Sequence, residues 1–197
     1  MTGLMLQQIA IEVGGKTLFE HFDLQVKPGE VTTIMGPSGC GKSSLLSMIC
    51  GTLEPIFEAT GRIRLNGRDI LDLSPEHRRV GILFQDDLLF PHLSVGENLL
   101  FALPPEIRPK RERAARVDAA LVEAGLEGFA ARDPASLSGG QRARVALMRT
   151  LLAAPHCLLL DEPFSKLDQS LKEKVRRFVF DHAREAGLPT LLVTHDA

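Results

Sequence analysis

Three glycines stand ahead of a lysine and a serine in Gly36-Pro37-Ser38-Gly39-Cys40-Gly41-Lys42-Ser43, the pattern G-x-x-x-x-G-K-[ST]. Glycine lets a backbone turn its N–H groups inward with no Cβ in the way, so such a loop can cradle phosphate oxygens. Leu45, Leu46, Met48 and Ile49 follow at helical spacing, and the positive end of that helix would face the same anion. In this arrangement Lys42 reaches the outer phosphates, the Ser43 hydroxyl is an oxygen ligand for Mg2+, and Ser44 completes the phosphate-binding set. The plain alternative is a chance glycine turn. The β-branched, apolar segment Val31–Met35 before the loop and the helix after it are the context the chemistry requires.

A second stretch, Cys157-Leu158-Leu159-Leu160-Asp161-Glu162, is an apolar run ending in two carboxylates. As a buried strand it would bring Asp161 to the carboxyl edge of a sheet, where α/β proteins bind ligands. Asp161 could then hold Mg2+ through water, and Glu162 could polarise an attacking water. Taken alone, Asp-Glu-Pro reads equally well as a strand end running into a turn. A third stretch, Leu137-Ser138-Gly139-Gly140-Gln141, sets a serine and two glycines before a helix and makes another natural anion site. One nucleotide does not need two such sites far apart in sequence unless a partner supplies the second. The plain alternative is a capped helix.

The elements that must position these groups alternate along the chain. Leu4–Val13 and Leu18–Val26 read as strands joined at Gly14-Gly15-Lys16, and Pro28-Gly29 as a turn before a buried strand at Val31–Met35. Arg62–Leu65 with Asn66-Gly67 reads as a hairpin, and Ser74-Pro75 as a helix start. Val80–Phe84, Leu158–Leu160 and Leu191–Val193 are further apolar strands. Helices are expected at Lys110–Ala124, ended by Gly125, at about Gly140–Ala154, and at Leu171–Ala186, closed by Gly187 and Pro189. Strands alternating with helices imply a parallel α/β sheet, with a helical lobe inserted from about Asp86 to His156.

Composition is that of a globular protein, with 44% hydrophobic and 24% charged residues over 197 positions and a net charge of −2. That balance gives no global pull toward nucleic acid or anionic lipid. Three cysteines without a C-x-x-C pair argue against a disulfide framework or zinc site and fit a reducing compartment. The N-terminal residues lack a basic region followed by an apolar stretch, so no signal peptide is read, and no apolar run is long enough to cross a bilayer. A role at a membrane would need another chain as anchor. Lys110, Arg111, Arg113 and Arg116 are interrupted by Glu112 and Asp118 with no aromatic among them, so they read as a solvated helix face and no nucleic-acid partner is expected. The histidines other than His195 show no ligand spacing, so no metal beyond Mg2+ is expected.

In order, the phosphate loop, Gln85, Leu-Ser-Gly-Gly-Gln, Leu-Leu-Leu-Asp-Glu-Pro, Leu167-Asp168 and Thr194-His195 resemble the ATPase cassette of the ATP-binding-cassette (ABC) family over almost the whole chain. The resemblance implies an α/β fold with a P-loop NTPase core, a mostly parallel sheet, an antiparallel β subdomain and an inserted helical subdomain. It implies one ATPase domain, with residues 1–85 and 157–197 as the nucleotide-binding core and 86–156 as the helical, signature-bearing subdomain. It further implies that Gln85 contacts Mg2+ and water, and that His195 contacts the γ-phosphate. Ser138, Gly139, Gly140 and Gln141, with Asp168 of the D-loop, would reach the nucleotide of the opposite subunit. The implied protein is a homodimeric ATPase at the cytoplasmic face of the inner membrane, driving a separate permease, with a substrate-binding protein besides. The alternative within the family is a soluble ATPase of DNA repair or translation. No long coiled coil precedes the signature, and a single cassette is present.

The segment Asp86–Asn98 resembles the one with which importer-type cassettes grip a permease, and its Leu88, Leu89, Phe90 and Leu93 either meet a partner or cover the lobe's own core. Three departures stand out. The position at which the family stacks an aromatic on adenine falls near Val13, the chain has no Tyr or Trp, and Phe19 is the nearest aromatic downstream, so weak hold on the base is expected. Lys166 replaces the usual small residue of the D-loop. The chain ends two residues after His195 where the family usually continues, which implies a shortened chain.

Overall fold

Leu4 and Leu6 are buried, Gln7 and Gln8 are both exposed, and Ile9 and Ile11 are buried again along the strand β1 (Leu4–Val13). Strict alternation would have turned Ile9 and Ile11 to solvent. A β-bulge resets the phase: pairing shifts register between Leu6 and Ile9, and Gln8 takes φ 49°. The bulge is pinned by Asp23, whose carboxylate accepts from the Gln8 N–H and from Gln8 Nε2, each at 2.8 Å. Asp23 lies on β2 (Lys16–Val26), antiparallel to β1 through a two-residue turn with Gly14 at φ 56° and Gly15 at φ 76°.

The computed structural model describes residues 3–165, 167 and 169–195. Two compact units divide them, one of residues 1–82, 156–162 and 180–197 and the other of 83–155 and 163–179. Elements are numbered in chain order. The first unit holds β3 (Val31–Met35), α1 (Lys42–Cys50), β4 (Phe57–Leu65), β5 (Arg68–Asp69), the short α2 (Pro75–Arg78), β6 (Val80–Leu83, whose last residue falls to the second unit), β7 (Cys157–Asp161) and β8 (Thr190–Thr194). One sheet is antiparallel, in the order β2-β1-β4-β5, and turns at Asn66 and Gly67, both at positive φ as the Asn-Gly pair predicts. The other runs β3-β8-β7-β6, with β8 parallel to both β3 and β7. Leu45, Leu46 and Ile49 of α1 share one core with Leu159, Leu191 and Val193 of this sheet and Leu4, Leu6 and Ile9 of the other.

The expectation that β3 is buried is corrected. Thr33 and Met35 are exposed, Met35 by 54%, and the other three residues are half-buried. Among the described residues β3 is the end strand of its sheet, so β8 covers one edge only. Ser74 does precede α2, but its hydroxyl turns to Glu76 Oε1 at 2.7 Å and His77 Nδ1 at 2.8 Å and caps no backbone N–H. Behind it Arg78 is buried, and its guanidinium donates to the carbonyls of Leu73, Leu71, Met48 and Ile49, the last two at 2.7 and 3.0 Å closing the C-terminus of α1.

The second unit holds α3 (Val95–Ala102), α4 (Lys110–Glu123), α5 (Gly139–Leu152) and the part of α6 (Gln169–Glu185) up to Val179. Sequence periodicity did not foresee α3, yet Ser94-x-x-Glu97 forms a full capping box. Asn98 is fully buried and holds the loop before α3, accepting from Phe90 N–H at 2.8 Å and donating to the carbonyls of Phe90, Leu93 and Ser94. Of the basic residues on α4, Lys110, Arg111 and Arg116 are exposed, whereas Arg113 donates to the carbonyls of Leu100 and Pro104 at 2.9 and 2.8 Å.

Candidate nucleotide site

The first turn of α1 begins without a side-chain cap: its N-cap is Gly41, at φ 93°. Its leading N–H groups are therefore not consumed by a neighbouring hydroxyl or carboxylate, and no acidic residue stands in the first turn. Pro37, Ser38 and Gly39 form an exposed rim, while Gly36 and Cys40 are half-buried. Strand β2 backs the loop so closely that a Cβ at Gly41 would lie 2.9 Å from Leu18 Cβ and 3.1 Å from Phe19 Cε2. Lys42 is 6% exposed and donates Nζ to the carbonyls of Gly36 at 2.7 Å and Pro37 at 3.0 Å. The loop thus holds its own cation inside.

Ser43 is exposed, Ser44 is half-buried, and Ser43 Oγ donates to Asp161 Oδ1 at 3.1 Å, joining residues 118 apart in sequence. Burial pushes the Asp161 carboxyl above its ordinary value; the Ser43 hydrogen bond and the Lys42 charge pull it down, and the neighbouring Glu162 raises it further. Glu162 sits at φ 47°, its N–H bonded to Val193 carbonyl at 3.1 Å. Its Oε2 lies 2.8 Å from His195 Nδ1. Parallel register explains this pairing: Asp161 stands beside Val193, so the residues just past both strand ends meet at one sheet edge. The pairing is invisible in the sequence, because it depends on which strand lies next to which. Phe19 is half-buried, with its ring edge-on to Phe22 at 5.2 Å, and Val13 is half-buried at the end of β1.

In the second unit Ser138 is the N-cap of α5, and this end is closed on itself. Ser138 Oγ accepts from Gln141 N–H at 3.3 Å, and Gln141 Oε1 accepts from Ser138 N–H at 2.9 Å. Gly140 is buried, and a Cβ there would fall 2.7 Å from the Leu171 methyls. Gln85 lies on the irregular stretch between β6 and α3 and lines a cavity of about 510 Å³ with Asp87, Leu89, Pro134, Gly139 and Arg142. Asp168 and Lys166 lie outside the described residues. Sequence reasoning passed over Arg142 and Arg149, although their spacing puts both on one face of α5.

The profile of the ABC transporter family matches residues 19–165. The chain belongs to this family. It is 48% identical to the uncharacterized ABC transporter ATP-binding protein YnjD of Escherichia coli over 98% of this chain and 88% of that protein. It is 45% identical to the spermidine/putrescine import ATP-binding protein PotA of Oleidesulfovibrio alaskensis, over 90% of this chain and 47% of PotA. Against the sulfate/thiosulfate import ATP-binding protein CysA of Mycobacterium tuberculosis the identity is 44%, over 93% of this chain and 51% of CysA. The chain thus spans about half the length of these two import proteins. CbiO1 from Clostridium perfringens, part of the ABC transporter complex CbiONQ, superposes with TM-score 0.86 at 31% identity, covering 99% of this chain and 79% of CbiO1. As an ABC ATPase the chain binds and hydrolyses ATP. Among the described residues no helix is long and apolar enough to cross a membrane, and no group of three or more His, Cys, Asp or Glu could by itself hold a metal.

Proposed function

We propose that this ABC ATPase is the motor of a bacterial importer, bound peripherally at the cytoplasmic face of the inner membrane by a separate permease that a substrate-binding protein supplies. The observation that carries the reading is identity of 44–45% to proteins named for import across nine-tenths of the chain. The cavity beside Gln85 supports it, since Leu88 and Leu89 line it and Leu88 is 55% exposed, a surface suited to an apolar partner segment.

On this reading residues Gly36–Ser44 hold the phosphates, and Lys42 turns from its own loop carbonyls to the β- and γ-phosphates. Mg2+, when bound, neutralises phosphate charge. The hydroxyl of Ser43 and the carboxylate of Asp161, already 3.1 Å apart, are the hard oxygen donors that suit it, with Gln85 as a further ligand. Glu162 polarises the attacking water, and His195 both orients Glu162 and reaches the γ-phosphate. Ser138, Gly139, Gly140 and Gln141, with Asp168, complete the site on a second copy of the chain, two ATP being held between two copies. Catalysis is then mostly positioning and electrostatics.

Two experiments test this. Purified Glu162→Gln is expected to keep ATP affinity, lose turnover by about 100-fold or more, and run as a dimer with ATP in size-exclusion chromatography. Near-normal turnover would remove Glu162 from its role. Affinity purification from detergent-solubilised host membranes is expected to bring down a polytopic membrane protein in stoichiometric amount. Recovery of ribosomes or DNA with no such protein would replace the motor of an importer by a soluble ATPase.

A further inference from the structure

The stretch that follows Gln85 has no regular structure, and Leu88 within it takes φ 46°. Two arginines of α5 grip it. Arg149 donates Nη1 to the Leu88 carbonyl at 2.8 Å and Nη2 to the Asp87 carbonyl at 3.3 Å. Arg142, two helical turns earlier on the same face, meets the Asp87 carboxylate with Nε at 3.2 Å. The same guanidinium donates Nη1 to the carbonyl of Leu137 at 2.7 Å, the peptide that leads into Ser138. A guanidinium is planar and rigid, so it cannot follow one acceptor without pulling on the other. The pair is half-buried, with side chains 39% and 27% exposed, which removes it from the class of freely solvated ion pairs. Both Asp87 and Arg142 line the cavity of about 510 Å³, so a segment entering it would bear on the link itself.

We propose that Asp87, Arg142 and the Leu137 carbonyl form a link through which displacement of the stretch after Gln85 moves the Ser138–Gln141 loop, with Arg142 as its positioning residue. Coupling of this kind is a free energy between two sites and acts equally in both directions. The link is a property of this chain alone; its use by a permease rests on the reading above.

Hydrogen–deuterium exchange on the purified full chain tests the link without any partner. Asp87→Asn keeps the shape of the side chain and removes its charge. It is expected to speed exchange of amides 138–142 by about fivefold or more, the size of an ordinary coupling. Amides 36–43 and the α4 amides 117–121 should not change, and Asp87→Glu should restore the wild-type rate. The double variant Asp87→Asn with Arg142→Gln should be no faster than Arg142→Gln alone. Unchanged exchange at 138–142, or faster exchange that extends through α4, overturns the proposal. In the purified transporter, both single variants should lower permease stimulation of ATP turnover by about fivefold while leaving ATP affinity unmoved. Full stimulation in the variants overturns the link as a transmitter. A wild-type chain that no permease stimulates instead overturns the importer reading, and the exchange result still decides the link.

Discussion

The chain starts two helices with a serine–glycine loop, and the two starts differ in kind. At α1 the cap is a left-handed glycine, and no side chain takes the leading N–H groups. At α5 serine and glutamine cap each other reciprocally. The first is built open to an anion before the anion arrives. The second is capped from within the chain, Ser138 taking the Gln141 N–H and Gln141 the Ser138 N–H. One start is left uncapped by side chains and the other is capped by its own, so the same residue types serve two different ends.

Glycine substitution separates the two most sharply. Gly41→Ala puts a methyl group against Leu18 at a backbone angle side chains rarely adopt, and is expected to weaken ATP binding by about 100-fold, measured by calorimetry on the single chain. Gly140→Ala overpacks Leu171 and should cost about 1–3 kcal/mol of stability while leaving that binding constant alone. Equal losses of affinity in both would erase the distinction.

Asp161 gives a pH test of the open site. Its folded-state pKa lies above the ordinary 3.8 because burial disfavours the charge, so ionising it opposes folding. That penalty is absent below 3.8, grows as pH rises through the window between the two values, and is complete above the folded-state one. Asp161→Asn is therefore expected to raise the Tm of the nucleotide-free chain at pH 7.5, to lose that gain at pH 3.5, and to abolish hydrolysis. A lower Tm at pH 7.5 would mean that the Ser43 bond outweighs burial.

Ser138→Ala removes the closed cap and should cost about 1 kcal/mol in denaturant unfolding. Ser43→Ala should cost less, since its bond is exposed and lies outside the cap. The smallest effect is chemical. Burial pushes the Cys50 thiol up to about 11 and raises Cys157 as well, while Cys40 in the open loop is half-exposed. A maleimide titration should find one fast thiol in the native chain, slowed by ATP, and three after denaturation.

The open loop was legible in the sequence because its conformation is written in glycines, of which Gly39 and Gly41 take positive φ. Hairpins at Gly14-Gly15 and Asn66-Gly67 were legible for the same reason. The bulge at Gln8 was not, since it rests on Asp23 from another strand. Burial of β3 was misjudged because apolar composition says nothing about strand order, and strand order puts β3 at an edge. Helix α3 was missed although its capping box was in view, because it has only 8 residues and its apolar ones bunch at Leu99–Ala102, so no period shows. The Glu162–His195 contact and the grip of Arg142 and Arg149 follow from register and from helix placement, which no local pattern encodes.

Arg78 has a consequence for salt. The C-terminal carbonyls of α1 meet a guanidinium that water scarcely reaches, whereas the N-terminal loop is open to solvent. Dissolved ions largely screen exposed charges more than about 10 Å apart at 0.1 M and buried pairs far less. Rising ionic strength will therefore weaken what the helix binds at its positive pole and leave its negative pole fastened, so that nucleotide affinity falls with salt while the fold of α1 does not.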